Sequence, residues 1–470
     1  MTGLTQELAR YVQEPDFGPQ AEQACDIARM GMIDTIATAL AGAHEPVARI
    51  ALDYAGEQGG NAAAAAPLWF AARDLPARQS AFVNGTASHA LDYDDVALSG
   101  HPSTALTPAI LAQGHVLGAS GERCVRAYVV GYETWAELVS RETDPYHIKG
   151  WHPTAVFGTV AATAALAYLR GTQAPVAAHA LGIAASLASG LVANFGTMTK
   201  PLHAGRAGAL AFEALDLAER GLTAAPDALE HKAGFLNALS PQGRVDRERP
   251  AALQGQARIA TLGLAIKKYP VCYSGHRIID GLIALADTHG IDPQQVERVR
   301  VAIGRPQASM LRNRRPATAL QAKFSAEFAV ASALLRRKVG LAELQDEVVN
   351  QPAMRALYDK VEVALIEQAD PSDSAFALYD EVRIEMRDGT VLESGRIPYA
   401  RGHARQPLTE DELRAKFDEC LRCWQAGMRQ QAAEGGTDAL AAGHGVDAQD
   451  LYGRLRALRQ LPDVRALFRP

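Results

Sequence analysis

None of the short motifs that announce a bound nucleotide, a catalytic zinc or a serine nucleophile occurs in this chain. There is no Gly-x-Gly-x-x-Gly, no Gly-Lys-Ser/Thr phosphate loop, no His-Glu-x-x-His and no Gly-x-Ser-x-Gly. For a chain of 470 residues these absences point to chemistry done by side chains alone. Aromatic residues are scarce, at 6%, which leaves too few π-faces to line a carbocation pocket and argues against reading Asp92, Asp94 and Asp95 as the acidic magnesium motif of a helical terpene cyclase. Cysteines are few and odd in number (Cys25, Cys124, Cys272, Cys420 and Cys423), so a disulfide framework is not expected. Cys420-x-x-Cys423 has no second Cys/His pair nearby, and tetrahedral zinc needs about four ligands. The N-terminal stretch lacks the basic-then-apolar order of a signal peptide, and the chain reads as cytoplasmic with reduced thiols. A net charge of -6 and the lack of basic runs interleaved with aromatics argue against a nucleic-acid surface.

What is present is a globular composition, 48% hydrophobic and 21% charged, in a chain long enough for two domains. The most apolar stretches, Pro153 to Leu169 and Val176 to Phe195, are built from Ala, Gly, Thr and Ser and read as buried helices of a soluble protein rather than membrane spans. Helical patterns dominate to about Leu264: Ala21 to Ala41, Arg78 to Leu91, Pro102 to Leu117, Val125 to Arg141, Pro153 to Leu169 and Pro201 to Arg220.

After Lys267 the character changes. Strand-like runs appear at Val296 to Ile303, Val361 to Ile366 and Glu381 to Ile397, the last with Asp388-Gly389 as a tight-hairpin signal. Thr409 and Glu412 have the spacing of a capping box, and helix resumes beyond them. Residues 432–445 read as a loose Gly/Ala-rich connector. The expected fold is mainly α: a large all-helical domain over 1–266, an inserted α+β lid domain over 267–402, and C-terminal helices over 403–470 that return to the first.

Three helices are expected to start alike, at His101-Pro102, His152-Pro153 and Lys200-Pro201. Proline suits the first helical position, which places His101, His152 and Lys200 at or near N-caps, where free N–H groups and the helix dipole favour an anion. The dipole also keeps a nearby imidazole neutral and able to relay a proton. Upstream, His89-Ala90-Leu91-Asp92-Tyr93-Asp94-Asp95 gathers carboxylates at a helix end, where one of them can orient His101 or accept a proton. The run Lys267 to Arg277 adds cations where the domains change, a usual place for a small-ligand cleft.

Taken together, His89-Ala-Leu-Asp92-Tyr-Asp-Asp, Gly150-Trp-His152-Pro-Thr, Thr199-Lys200-Pro-Leu-His203-Ala-Gly, Lys268-Tyr-Pro-Val-Cys272 followed by His276, Ala322-Lys-Phe-Ser325 and Lys416-Phe417 resemble the MmgE/PrpD family. That family includes 2-methylcitrate dehydratases, cis-aconitate decarboxylases and iminodisuccinate epimerases. The resemblance implies a helical domain with an α+β lid, a homodimer, an active site between the two domains, and proton transfer beside a carboxylate of a small di- or tricarboxylate, with no metal or organic cofactor. It assigns active-site roles to Asp92, His101, His152, Lys200 and Lys267, with His203, Cys272 and His276 on the substrate-binding side. Against the decarboxylase pattern, Val96 stands for a Thr, Cys272 for a His and Phe328 for a Tyr, which removes three hydrogen-bonding groups.

The expected activity is therefore a dehydratase-type lyase in which Lys200 and Lys267 clamp carboxylates while His101 and His152, oriented by Asp92, move a proton. The alternatives are an epimerase of an iminodisuccinate-like dicarboxylate, a cis-aconitate-type decarboxylase, and a non-catalytic helical scaffold that binds an acidic partner.

Overall fold

The computed structural model describes residues 3–58, 64–371, 373–433 and 448–468, so the connector expected over 432–445 falls outside the described residues from 434 onward. The chain divides into two compact units, residues 1–266 with 413–470 and residues 267–412.

Among the described residues, the first unit carries the long helices α1 (Leu4–Gln13), α2 (Ala21–Gly42), α3 (Pro46–Glu57), α4 (Ala77–His89), α5 (Pro102–Leu117), α6 (Gly121–Val139), α7 (Pro153–Arg170), α8 (Ala174–Leu187) and α9 (Thr199–Glu219), with shorter and C-terminal helices beside them. At its centre, α5 is buried at every residue from Pro102 to His115, and α7 at every residue except Tyr168 and Arg170. A helix apolar on all sides must be surrounded by other helices, and Ala and Gly let the axes come close. The crossing of α4 and α9 shows how close: a Cβ on Gly85 would lie 2.8 Å from Gly205 Cα, and one on Gly205 would lie 2.2 Å from the Phe82 carbonyl oxygen.

Several expectations need correction. The first unit is not wholly helical, because β1 (Ala65–Pro67) and β2 (Asp74–Pro76) pair antiparallel between α3 and α4. Helix α6 begins at Gly121, earlier than Val125, because the Ser120 side chain caps it by accepting from the Arg123 amide. Val176 to Phe195 is not one helix: α8 stops at Leu187, and the chain turns extended so that Gly190 can pass against α7. None of the helices among the described residues is long and apolar enough to cross a membrane.

The second unit carries a four-stranded sheet. Strands β3 (Val296–Gly304) and β4 (Val361–Ile366) are followed by a two-stranded ribbon, β5 (Ala369–Asp370) and β6 (Asp373–Ala377), and then by β7 (Glu381–Met386) and β8 (Val391–Glu393). The sheet order is β4-β3-β7-β8, with β3 and β4 parallel and the other pairs antiparallel. Val299, Val301 and Ile303 of β3 alternate inward while Arg298 and Arg300 face solvent. Asp388-Gly389 turns β7 into β8 with Gly389 at φ 88°, a value that favours glycine. Helices His276–His289 and Ala326–Arg336 add Ile279, Leu282, Phe328 and Val330 to the core.

At the end of this unit, the Thr409 amide donates to Glu412 Oε2 at 2.9 Å and the Glu412 amide donates to Thr409 Oγ1 at 3.2 Å, the reciprocal capping box expected there. It opens the helix Glu410–Ala433.

Candidate active site

His101 and His152 do sit at the N-caps of α5 and α7, each followed by proline at the first helical position. The two helix starts are tied together, because the His101 amide donates to Thr154 Oγ1 in the first turn of α7 at 3.1 Å. Gly100 makes that approach possible; a Cβ there would lie within 3.1 Å of Trp135 and of the Thr154 backbone. Lys200 is different. Helix α9 begins at Thr199 with Met198 as N-cap, so Lys200 lies inside the first turn and not at the cap.

The loop between α4 and α5 brings the acidic residues to His101, and it does so with uncommon backbone: Asp92, Leu98 and Ser99 all have positive φ (54°, 52° and 61°). Such conformations persist where surrounding contacts over-determine them. His101 Nδ1 lies 2.8 Å from the Asp95 carbonyl oxygen and 2.8 Å from Asp94 Oδ2. Both neighbours are acceptors only, so Nδ1 carries the proton, and in the neutral ring Nε2 holds the lone pair. Nε2 faces Asp92 Oδ1 at 3.7 Å. Asp94 and the Asp95 carbonyl thus flank the Nδ1 side of His101, and Asp92, expected to orient that ring, faces its Nε2 side and accepts from Lys200 Nζ at 2.7 Å.

Asp94 is fully buried and binds a second imidazole, His89 Nδ1, at 2.8 Å. Burial resists ionisation of Asp94, yet the His89 and His101 imidazoles outweigh it and hold the carboxyl well below its ordinary range. Burial holds His89 down to about 4 against the pull of Asp94, so this ring is neutral near pH 7 and donates Nδ1–H. The next residue behaves in the opposite way. Burial, together with the nearby Asp34 carboxylate, raises Asp95 well above the ordinary value, and Ser103 Oγ bonds its Oδ2.

His152 and His203 form a second pair, Nδ1 to Nδ1 at 3.0 Å. Burial lowers both, His152 far below its ordinary value with the Lys200 charge as the next cause, and His203 to about 4. Two neutral imidazoles at that distance share one proton, so one ring has a free Nε2 lone pair and the other an Nε2–H. The rings of His101, His89, His152 and His203 run in series, with centroids 4.3, 6.4 and 5.2 Å apart. Phe195 closes one side, edge-on to His152 at 4.8 Å and with Lys200 Nζ 5.3 Å from its ring centre.

His89, Asp92, Asp94 and His101 present ligand atoms within 4.8 Å of one another, a spacing open to a metal ion. The donor set fits protons better. Both oxygens of Asp94 meet Nδ1 atoms that bear hydrogen, and the Lys200 ammonium at Asp92 repels a cation.

Of the remaining expected site residues, Lys267, Cys272 and His276 belong to the second unit. Lys267 is buried. The Cys272 amide donates to the Lys323 carbonyl at 2.9 Å. His276, fully buried, places Nε2 3.2 Å from the Val271 carbonyl, with its ring 5.2 Å from Tyr269 and 4.9 Å from Tyr273. The first unit thus brings together Asp92, His101, His152, Lys200 and His203. Sequence reasoning did not single out Asp94, His89, Asp95 and Phe195 for these positions; the only local signal was the crowding of His89 with three carboxylates at the end of one helix.

Two comparisons with known proteins bear on this arrangement. The MmgE/PrpD N-terminal domain matches residues 6–248 and the MmgE/PrpD C-terminal domain matches residues 269–437. The chain is 30% identical over 359 residues to a cis-aconitate decarboxylase of Mus musculus, covering 73% of this chain and 71% of that protein. It is 27% identical over 433 residues to a cis-aconitate decarboxylase of Homo sapiens, covering 89% and 87%. A cis-aconitate decarboxylase of Aspergillus terreus is 24% identical over 368 residues, covering 72% and 73%.

Proposed function

The chain belongs to the MmgE/PrpD family, and from that premise we propose that it is a lyase acting on a small di- or tricarboxylate by proton transfer at the carbon beside a carboxylate. One observation carries the reading: the His101 ring is held by two acceptors at Nδ1, which leaves Nε2 as the proton carrier next to Asp92 and Lys200. In this reading Nε2 of His101 takes the proton from carbon. The electron pair moves into the adjacent carboxylate, and the Lys200 ammonium stabilises the enediolate-like charge, usually the largest single catalytic term. Loss of a β-hydroxyl as water then forms the double bond, the leaving oxygen taking the proton that His101 Nε2 removed from carbon.

Decarboxylation is the second reading, favoured by the cis-aconitate decarboxylases among the relatives. There the C–C bond to the lost carboxylate breaks, CO2 leaves, and a histidine returns a proton to carbon. The side chains of Val96, Cys272 and Phe328 speak for dehydration, since none offers the hydroxyl or imidazole of the decarboxylase pattern and Phe328 is wholly committed to the core of its unit.

The test is incubation with cis-aconitate and, separately, with 2-hydroxy tricarboxylates in deuterated water. Alkene absorbance from the hydroxy acids indicates dehydration. CO2 release indicates decarboxylation, and deuterium incorporation with inversion alone indicates epimerisation. His101→Gln should abolish whichever is seen; full turnover by that variant would remove His101 from the mechanism.

A further inference from the structure

Lys416 stands on the helix Glu410–Ala433 and is separated by 323 residues from Tyr93, yet both belong to the first unit. Its side chain is only 3% exposed. The ammonium lies 2.5 Å from Asp34 Oδ1 on α2, donates to the Tyr93 carbonyl oxygen at 2.8 Å, and sits 4.0 Å from the centre of the Tyr93 ring. The phenol of that buried tyrosine reaches Glu419 Oε2 on the same C-terminal helix at 3.3 Å.

The Tyr93 carbonyl belongs to the peptide that leads into Asp94, immediately after the left-handed Asp92. A bond to that oxygen fixes the peptide plane from which the Asp94 side chain departs.

We propose that Lys416 is a positioning residue: its ammonium, delivered by the C-terminal segment, locks the Tyr93–Asp94 peptide and so aims the Asp94 carboxylate at His101 Nδ1. The consequence for turnover rests on the role given above to His101; the consequence for the loop does not. Stability alone does not explain the ion pair. Burying an ammonium and a carboxylate strips both of hydration, and well-packed neutral residues of similar volume generally hold a core as well. What a neutral pair cannot supply is a strong donor to the Tyr93 carbonyl at the same time as a partner for Asp34.

The experiment uses the full chain and three variants. Lys416→Met takes the ammonium away from the buried Asp34, so its melting temperature falls. In Asp34→Asn/Lys416→Met the charge conflict is gone and the melting temperature recovers. Amide hydrogen exchange of the peptide spanning residues 90–97 should nevertheless stay faster than in the parent, and kcat should stay down by roughly tenfold to a hundredfold with KM little changed, as expected for a displaced catalytic group. Asp34→Asn alone keeps the Lys416 bond to Tyr93 and should keep both loop protection and kcat even with a lower melting temperature. Parental exchange and kcat in the double variant would overturn the proposal, as would a tenfold loss of kcat in Asp34→Asn. Should the chain turn over none of the carboxylates tested, the proposed function fails while the exchange and melting measurements still decide the role of Lys416.

Discussion

Asp94 and Asp95 are neighbours of identical chemistry, and replacing each by asparagine should have opposite consequences. Asp94 is ionised, accepts from His89 Nδ1 at 2.8 Å and holds its second oxygen 2.8 Å from His101 Nδ1 as an ion-pair contact. An asparagine there keeps one acceptor and turns an NH2 group toward one of the rings, which must then give up its Nδ1 proton or lose the contact. A hydrogen bond to a charged group contributes about 1.5–3 kcal/mol, so the loss corresponds to roughly a 10- to 150-fold fall in kcat.

The fall should not reach the roughly 10,000-fold seen where a carboxylate alone orients a catalytic histidine. Here the Asp95 carbonyl, 2.8 Å from the same Nδ1, still selects the tautomer. Burial and the Asp34 carboxylate push the Asp95 side chain toward its neutral form, so Asp95→Asn puts a neutral group of the same shape where the fold already disfavours charge. Its kcat should change by less than about threefold, and its melting temperature should hold or rise, as expected when a buried acid conflict is removed. Steady-state kinetics on the identified substrate and thermal unfolding of both variants provide the check. Equal losses in the two, or a greater loss in Asp95→Asn, would refute the assignment of charge and of orienting role.

Two further outcomes follow from the same geometry. His89 and His203 take up protons at about 4 in the fold against 6.5 ordinarily, and His152 lower still, so the unfolded chain protonates first as pH falls. The share of stability held by these rings is full above pH 6.5 and declines toward pH 4, while Asp380, raised to about 7 by burial, acts in the opposite direction; melting temperatures of the parent and of His89→Gln that fall in parallel across this window would contradict it. Gly190→Ala would place a Cβ 2.4 Å from Ala155 Cβ and 3.2 Å from the His203 ring. It should cost about 1–3 kcal/mol of stability and lower kcat by moving His203, whereas a variant as stable and as active as the parent would show that the extended segment through Gly190 does not position that ring.

Much of the architecture was legible without coordinates because it is written in short-range chemistry. Alternating apolar residues and Asp388-Gly389 specified β7 and β8, reciprocal hydrogen bonding made Thr409 and Glu412 a helix start, and proline after His101 and His152 placed those rings at two helix caps. Proline after Lys200 misled, because a proline is tolerated throughout the first helical turn, and α9 used Pro201 as its third residue. Apolar composition misled at Val176 to Phe195, where the packing of Gly190 against α7 ended the helix early.

The sequence by itself determined which groups were available near the end of α4 and that imidazoles, carboxylates and a lysine would be the chemistry. Only the tertiary structure decided how they pair. Lys200 reaches Asp92 across 108 residues, His203 reaches His152 across 51, and Lys416 reaches Tyr93 across 323. The physical reason is that propensity and periodicity act over a few residues along the chain, whereas the partner of a buried charge is chosen by which helices pack together, and that choice set Asp94 beside Nδ1 of His101 and Asp92 beside Lys200.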